Sequence, residues 1–206
     1  MAGNTMNEIS RARFAPLAAL LIALLPLACS PGAPPERPPL EGATIGGPFA
    51  LTDQNGRAVT DASFAGKYRV MYFGYTFCPD VCPIDMQVLG AGLRQFEAKD
   101  PARGAKVVPV FITVDPARDT PAVLKEYVKA FHPRMVGLTG SAAAVDKAAS
   151  AYKVIYRKGE TTPGGGYLVE HSRIAYLMDP AGKPLALLPV DENPDAVARE
   201  LARWTR

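Results

Sequence analysis

The sequence predicts an α/β domain in which a largely apolar sheet is covered by helices. Two nearly continuous apolar segments, residues 68–75 and 106–114, have the composition of buried strands in a parallel sheet. Each is followed by a segment with helical character, and this alternation of strands and helices is typical of the α/β class. The chain has 206 residues, enough for one such domain with a well-packed core.

The first half of the domain is predicted to hold a hairpin, a strand and a helix. Residues 49–60 form two short strand-like pieces around an Asn-Gly dipeptide, which favours a tight hairpin turn. The strand at 68–75 follows. Residues 84–98 then form a helix with apolar residues at helical spacing on one face. The residues of that face are Met86, Leu89, Leu93 and Phe96.

The second half contains three predicted helices, each with a capping residue at its start. Thr120, Ser141 and Asn193 are the predicted N-caps, and the helices extend to residues 131, 151 and 204. The predicted strands of this half are 106–114, 135–138, 154–157, 173–178 and 185–188. A final strand–turn–strand unit followed by a helix is typical of a thioredoxin-like fold. The predicted architecture is therefore a central mixed sheet flanked by helices, with an added N-terminal hairpin.

Residues 1–29 have the pattern of an export signal. A pair of arginines precedes the apolar segment 14–27, which is shorter than a typical membrane span. An uncleaved N-terminal anchor is the alternative. The residues around Cys29 resemble a bacterial lipoprotein cleavage site, although Pro26 stands where leucine is usual. Cys29 is therefore a candidate for lipid attachment and for tethering the chain to a membrane.

The predicted domain organisation places a spacer between this segment and the folded part. Residues 30–41 are rich in proline and should form an extended, semi-rigid linker. The folded domain is predicted to span residues 42–206. Its charge excludes one class of partner, because a net charge of +3 spread along the whole chain provides no basic patch for nucleic acid.

Cys78 and Cys82 are the candidate reactive pair. They stand where the first central strand gives way to a helix, the position of the redox cysteines in a thioredoxin-like fold. Two thiols at this spacing can form a disulfide, act as a redox dithiol or bind a soft metal ion. If Pro83 takes the first helical position, Cys82 is the N-cap, where the helix dipole favours a thiolate. A helix that begins earlier would place both sulfurs on one face.

The chain has two histidines, and they receive different interpretations. His132 follows a predicted helix and is expected to interact with its dipole. His171 precedes the strand at 173–178, which in a thioredoxin-like sheet lies close to the cysteine loop. Two thiolates and one imidazole suit Cu(I), whereas a structural zinc site normally has a fourth protein ligand. Copper binding, disulfide redox chemistry and a structural disulfide remain open from the residues alone.

Three segments resemble signatures of the SCO/SenC family. They are GYTFCPDVCP at 74–83, TVDPARDTP at 113–121 and YLVEHS at 167–172, in the family's order. The one departure is Glu170, where the family pattern has aspartate. The resemblance covers the chain from about residue 42 to its end and implies a thioredoxin-like fold.

The resemblance also implies a function. It implies a membrane-tethered protein that binds a copper ion through Cys78, Cys82 and His171 and helps to assemble the copper centre of cytochrome c oxidase. The implied partners are the oxidase subunit with the binuclear copper site and other periplasmic copper carriers. The protein would act at the periplasmic face of a bacterial inner membrane, either by transferring copper or by reducing the acceptor's cysteines.

Two other classes compete with a copper carrier that is not an enzyme in the turnover sense. One is a thiol–disulfide oxidoreductase, for which a closer W-C-x-x-C pair would be typical. The other is a peroxidase or oxidant sensor, which needs one acidic thiolate and a resolving cysteine. Asp80, Asp115 and Asp119 are candidates for supporting the cysteine loop or orienting His171; the alternatives are a helix start for Asp119 and a turn for Asp115.

Overall fold

A computed structural model describes residues 36–161 and 164–206, and within these residues it contains nine strands and five α-helices. The strands are β1 (Ala50–Asp53), β2 (Ala58–Thr60), β3 (Tyr68–Gly74), β4 (Val107–Thr113), β5 (Val136–Thr139), β6 (Tyr156–Lys158), β7 (Val169–His171), β8 (Ala175–Met178) and β9 (Pro184–Leu188). The helices are α1 (Val81–Lys99), α2 (Pro101–Gly104), α3 (Pro121–Phe131), α4 (Ala142–Ala151) and α5 (Pro194–Trp204).

Seven of these strands form one mixed sheet in the order β2-β1-β5-β4-β3-β8-β9. At its centre, β3 pairs in parallel with β4, from Tyr68 opposite Val107 to Gly74 opposite Thr113. Every residue of β3 is buried, as a central strand covered on both faces requires. β8 pairs antiparallel with the other edge of β3, which makes the sheet mixed. The α/β, thioredoxin-like prediction is confirmed.

The N-terminal hairpin forms as the Asn-Gly dipeptide predicted. β1 and β2 pair antiparallel, and Gly56 takes a φ of 78°, the left-handed conformation that such a turn needs. The buried carboxylate of Asp53 accepts hydrogen bonds from the backbone N–H groups of Asn55 and Arg57 at 2.8 and 2.9 Å. β1 also pairs with β5, so the hairpin extends the central sheet.

The helices cover both faces of the sheet and enclose two apolar cores. On one side, the predicted face of α1 packs with α3 and α5 against the sheet. On the other side, α4 packs against residues that include Leu51, Met71 and Phe73. The predicted caps are confirmed, because the side chains of Thr120, Ser141 and Asn193 each accept a backbone N–H hydrogen bond at the start of their helix.

Two local predictions differ from the structure. α1 begins at Val81 with Asp80 as the N-cap, so Cys82 lies inside the first helical turn and is not the cap. Pro83 is tolerated there because the first N–H groups of a helix have no intrahelical acceptor. β7 was not predicted as a strand; it pairs with β6 in a two-stranded sheet of its own. Within the described residues, no helix has both the length and the apolar character needed to cross a bilayer.

Candidate metal centre

The two cysteines lie where β3 passes into α1. The Cys78 N–H donates to the Tyr75 carbonyl at 3.3 Å, and the Cys82 N–H points at the Cys78 sulfur 3.5 Å away. Cys82 is buried, whereas Cys78 is half-buried, and both are free thiols. Gly74 makes this packing possible, because a Cβ at that position would stand 3.1 Å from the Cys82 sulfur. The loop thus presents two sulfurs of different accessibility.

His171 reaches the same point from the β6–β7 hairpin. Its Nε2 lies 3.1 Å from the Cys82 sulfur, and one ligand atom from each of Cys78, Cys82 and His171 lies within 4.8 Å of the others. Metal–sulfur bonds are about 2.3 Å long, so donors on one ion lie no more than about 4.6 Å apart. The three residues predicted from the sequence are therefore brought together at a spacing that needs only slight closure around an ion.

The surroundings of His171 fix which nitrogen faces the sulfurs. Nδ1 lies 3.1 Å from the Ser172 carbonyl oxygen, so Nδ1 carries the proton and donates it there. The rings of Tyr72 and Tyr75 lie nearly perpendicular to the imidazole, with centroids 6.3 and 6.0 Å from its own. Burial lowers the pKa of His171. The imidazole is therefore neutral at pH 7, with the Nε2 lone pair directed at Cys82.

The protonation of Cys82 differs from the expectation based on the helix dipole. Burial raises the pKa of the Cys82 thiol, and the nearby Cys78 raises it further. The thiol is therefore protonated in the metal-free protein at neutral pH, despite its place in the first turn of α1. A soft cation must displace this proton when it binds, which couples metal affinity to pH.

Asp119 holds the cysteine loop, in agreement with the interaction predicted for it. Its buried carboxylate accepts hydrogen bonds from the Thr76 N–H at 3.0 Å and the Thr76 hydroxyl at 2.6 Å. It also accepts one from the buried Thr113 hydroxyl at 2.5 Å. Through these contacts the end of β4 fixes the start of the loop that carries Cys78.

The other two predicted aspartates have different surroundings. Asp115 is buried and accepts a hydrogen bond from the Tyr167 hydroxyl at 2.8 Å, so it contacts the segment that leads into β7. Asp80 is exposed at the N-cap of α1, and its side chain makes no capping hydrogen bond. Asp115 and Asp119 therefore support the site from outside, whereas Asp80 makes no side-chain hydrogen bond to the cysteine loop or to His171 among the described residues.

An ion pair between a buried aspartate and a partly exposed arginine, not predicted from the sequence, lies beside the centre. Asp85 is fully buried in α1, and Arg173 contacts both of its carboxylate oxygens through Nε, at 3.0 and 2.8 Å, and one of them also through a terminal nitrogen. The Tyr72 hydroxyl donates to the same carboxylate at 2.8 Å. This network links the helix of Cys82 to the chain just after His171. Its sequence signal was an aspartate directly before Met86, on the apolar side of α1.

His132, the second histidine, lies away from these residues and is almost completely buried. Its Nε2 lies 3.3 Å from a Glu97 carboxylate oxygen, while Nδ1 accepts the Arg134 N–H at 3.2 Å. Burial lowers its pKa. The imidazole is therefore neutral at pH 7, so the expected interaction of a charged imidazole with the α3 dipole is absent.

A thioredoxin-like domain with two thiols and an imidazole facing one point defines a class of soft-metal or redox-active proteins. The SCO1/SenC family model matches residues 37–206 of the chain. The chain is 45% identical over 157 residues to the protein SenC of Rhodobacter capsulatus, covering 76% of this chain and 68% of SenC. It belongs to the SCO1/SenC family.

Mitochondrial relatives are longer than this chain. The match to SCO1 homolog 1 of Arabidopsis thaliana is 40% identical over 175 residues, covering 83% of this chain and 51% of the relative. The match to SCO1 of Saccharomyces cerevisiae is 45% identical over 141 residues, covering 68% and 47% respectively. The chain thus spans about half the length of these curated relatives.

Solved structures of related proteins share the fold, and some of them contain copper. The copper-bound ScoI of Bradyrhizobium japonicum is 42% identical, with a TM-score of 0.70, and the match covers 78% of this chain and 99% of that one. The copper-bound Sco1 of yeast is 39% identical, with a TM-score of 0.71, over 78% of this chain and 88% of that one.

Proposed function

We propose that this protein is a metallochaperone that binds one copper ion through Cys78, Cys82 and His171. The observation that carries the proposal is the convergence of the three donor atoms within 4.8 Å of one another. The donor set fits the metal, because two sulfurs and a neutral imidazole nitrogen favour Cu(I) over hard cations. Copper-bound relatives of the same fold support the choice of metal.

The proposed acceptor is the subunit of cytochrome c oxidase that carries the binuclear copper site. Copper is then a cargo, received from other periplasmic copper carriers and passed on by exchange of thiolate ligands. The burial of the site supports this role, because Cys82 and the tyrosine rings shield the ion while the half-buried Cys78 leaves an opening for incoming ligands. A cargo site needs both protection and access.

The second candidate function is reduction of the acceptor's cysteines by the same pair. Cys78 is the more accessible sulfur, so its thiolate would attack an acceptor disulfide and release one acceptor thiolate. Cys82 would then displace the second acceptor sulfur and form the Cys78–Cys82 disulfide, which completes a two-electron transfer. A relative 26% identical to this chain, with a TM-score of 0.58, is described as containing a disulfide switch.

We further propose that the domain of residues 42–206 is exported and held at the periplasmic face of the inner membrane. The proposed signal at 1–29 and the first half of the linker at 30–41 lie outside the described residues. Support comes from the sequence around Cys29 and from a Bacillus anthracis relative described as a SCO1/SenC family lipoprotein, which is 25% identical with a TM-score of 0.63.

The central test compares copper loading of wild type and His171→Ala. Purified, reduced protein is titrated with Cu(I) under nitrogen, and bound copper is measured by competition with a chromogenic chelator. We expect one copper per chain in the wild type and binding weaker by about tenfold or more in the variant, since one of three ligands is lost. His132→Gln is the matched control, because it alters the other histidine and leaves the three donors unchanged.

Two results would contradict the proposal in different ways. Equal copper affinity in wild type and His171→Ala would remove His171 from the site. Absence of copper from the wild type, together with reduction of a model disulfide that is lost in Cys78→Ser, would make the oxidoreductase the correct function.

A further inference from the structure

Arg118 lies in the loop between β4 and α3, and aromatic rings from two other segments surround it. Its guanidinium carbon lies 3.7 Å from the centroid of the Tyr167 ring, 4.8 Å from that of Phe77 and 5.7 Å from that of Tyr75. All three distances are within the range of a cation–π interaction. Phe77 and Tyr75 belong to the cysteine loop, whereas Tyr167 leads into β7. Arg118 therefore contacts both sides of the metal centre.

The carboxylate of Asp115 reinforces this arrangement. The Arg118 Nε donates to one oxygen of Asp115 at 2.5 Å, and the Tyr167 hydroxyl donates to the other at 2.8 Å. Asp115 is itself anchored, because its N–H donates to the Thr113 hydroxyl at 2.9 Å. One buried carboxylate thus orients both the guanidinium and the ring on which it stacks.

One terminal nitrogen of Arg118 is buried without a hydrogen-bond partner among the described residues. The side chain is only 21% exposed, so neither water nor a second carboxylate fully solvates the charge. The faces of the aromatic rings supply the remaining favourable contact. The position therefore specifically suits an arginine, whose planar group can pair with a carboxylate and stack at once.

The strands of the β6–β7 hairpin pair only with each other within the described residues. The Arg118 contacts add to the Arg173–Asp85 ion pair and to the connection 172–174 in holding this hairpin against the rest of the domain. In the part of the chain that the structure describes, no hydrogen-bonded ladder joins the hairpin to the main sheet, whose strand β3 leads into the cysteine loop and α1. Tyr167 precedes His171 by four residues in this segment. Lys158 also lies over the Tyr167 ring, at 3.9 Å, but it belongs to β6 and so cannot fasten the hairpin to the cysteine loop.

We propose that Arg118 is a positioning residue that fastens the His171 hairpin to the cysteine loop before copper arrives. It touches neither copper nor a ligand atom. Its effect is to hold the imidazole near both sulfurs, so that the ion meets a site already assembled. This inference rests on the proposed copper-binding function and adds to it a residue outside the ligand set.

The test uses Arg118→Leu and the matched control Arg103→Leu. Arg103 resembles Arg118 because it pairs with an aspartate three residues earlier, Asp100, and lies over an aromatic ring, Phe96, at 5.5 Å. It follows the far end of α1, whose 19 residues span about 28 Å from the turn that holds Cys82. The control therefore reproduces the loss of an ion pair and a ring contact without touching the metal centre.

Two measurements on the full chain distinguish positioning from a general loss of stability. Hydrogen–deuterium exchange of the metal-free protein should show peptides covering residues 167–172 exchanging about tenfold faster in Arg118→Leu than in Arg103→Leu. Competition with a chelator should show Cu(I) affinity reduced by about tenfold to a hundredfold in Arg118→Leu only, the range found when groups that orient metal ligands are removed.

If Arg118→Leu does not fold, Arg118→Lys replaces it, because lysine keeps the charge beside Asp115 and loses the planar stacking. Its exchange rate and affinity should lie between those of wild type and the values expected for the leucine variant. Exchange and affinity equal to those of the Arg103 control would overturn the assignment of Arg118. Since the exchange experiment needs no metal, it decides on Arg118 even if the wild type fails to bind copper and the proposed function is wrong.

Discussion

Asp119 provides the sharpest test of how the cysteine loop is held in place. Asp119→Ala removes the acceptor of three hydrogen bonds, two from Thr76 and one from Thr113, in a fully buried position. The Thr76 N–H and hydroxyl would then have no acceptor on the β4 side of the loop. Cys78 lies two residues further along the same loop, so its sulfur should lose its fixed position.

The size of the effect follows from two opposing contributions. Each hydrogen bond to a charged acceptor contributes about 1.5–3 kcal/mol. The cost of burying the ionised carboxylate offsets part of the stabilisation from these hydrogen bonds. The same burial raises the pKa of Asp119. We expect Asp119→Ala to lower the free energy of unfolding by about 3 kcal/mol. We also expect Cu(I) affinity to fall by about tenfold.

Urea denaturation of the metal-free protein and chelator competition measure the two effects. Asp53→Ala is the matched control, because Asp53 is also a buried carboxylate that accepts three hydrogen bonds, but it lies in β1, three strands away from β3 in the sheet. It should lose comparable stability and keep its copper affinity. Unchanged copper affinity in Asp119→Ala, or a stability loss below about 1 kcal/mol, would refute the role given to Asp119.

Two further predictions concern His132 and Cys29. Because burial lowers the pKa of His132, only the unfolded state takes up a proton as the pH falls below about 6.5. The stability advantage of wild type over His132→Gln should therefore be largest at pH 7 and shrink towards pH 5 in urea titrations; an advantage that grows on acidification would show the opposite shift. Cys29→Ser should abolish palmitate labelling and membrane association in cells, and retention of both would contradict lipid attachment at Cys29.

The sequence predicted the central sheet and the helix starts because these depend on local chemistry. Apolar composition marked β3 and β4, and the capping side chains marked α3, α4 and α5. The start of α1 was harder to predict, because proline is favoured at the first position of a helix and both Pro79 and Pro83 lie near that start. β7 escaped prediction because Val169 is its one apolar residue, whereas the equally short β6 was indicated by Val154 and Ile155 just before it.

The surroundings of the metal centre were less accessible to sequence reasoning than its three candidate ligands. The resemblance of short motifs pointed to Cys78, Cys82 and His171 as candidate ligands, but the partners of Asp85 and Arg118 lie far away in the chain. The raised pKa of Cys82 is likewise a consequence of burial by residues from other elements. Such properties arise from tertiary packing, which no local spacing encodes.

The separate pairing of β6 with β7 has a consequence for how an ion can leave. Two of the three donors lie where β3 passes into α1, while the third lies on a hairpin that no strand ladder joins to the main sheet within the described residues. Side-chain contacts and the short connection 172–174 to β8 hold this hairpin in place. An outward movement of the β6–β7 hairpin would remove His171 from the site without breaking any strand pairing of the seven-stranded sheet. Under the proposed function, a recipient's ligand would bind at the position vacated by His171 while both sulfurs still held the ion, so that transfer would proceed stepwise. The His171→Ala variant would resemble this intermediate, because it keeps both sulfurs and lacks the imidazole.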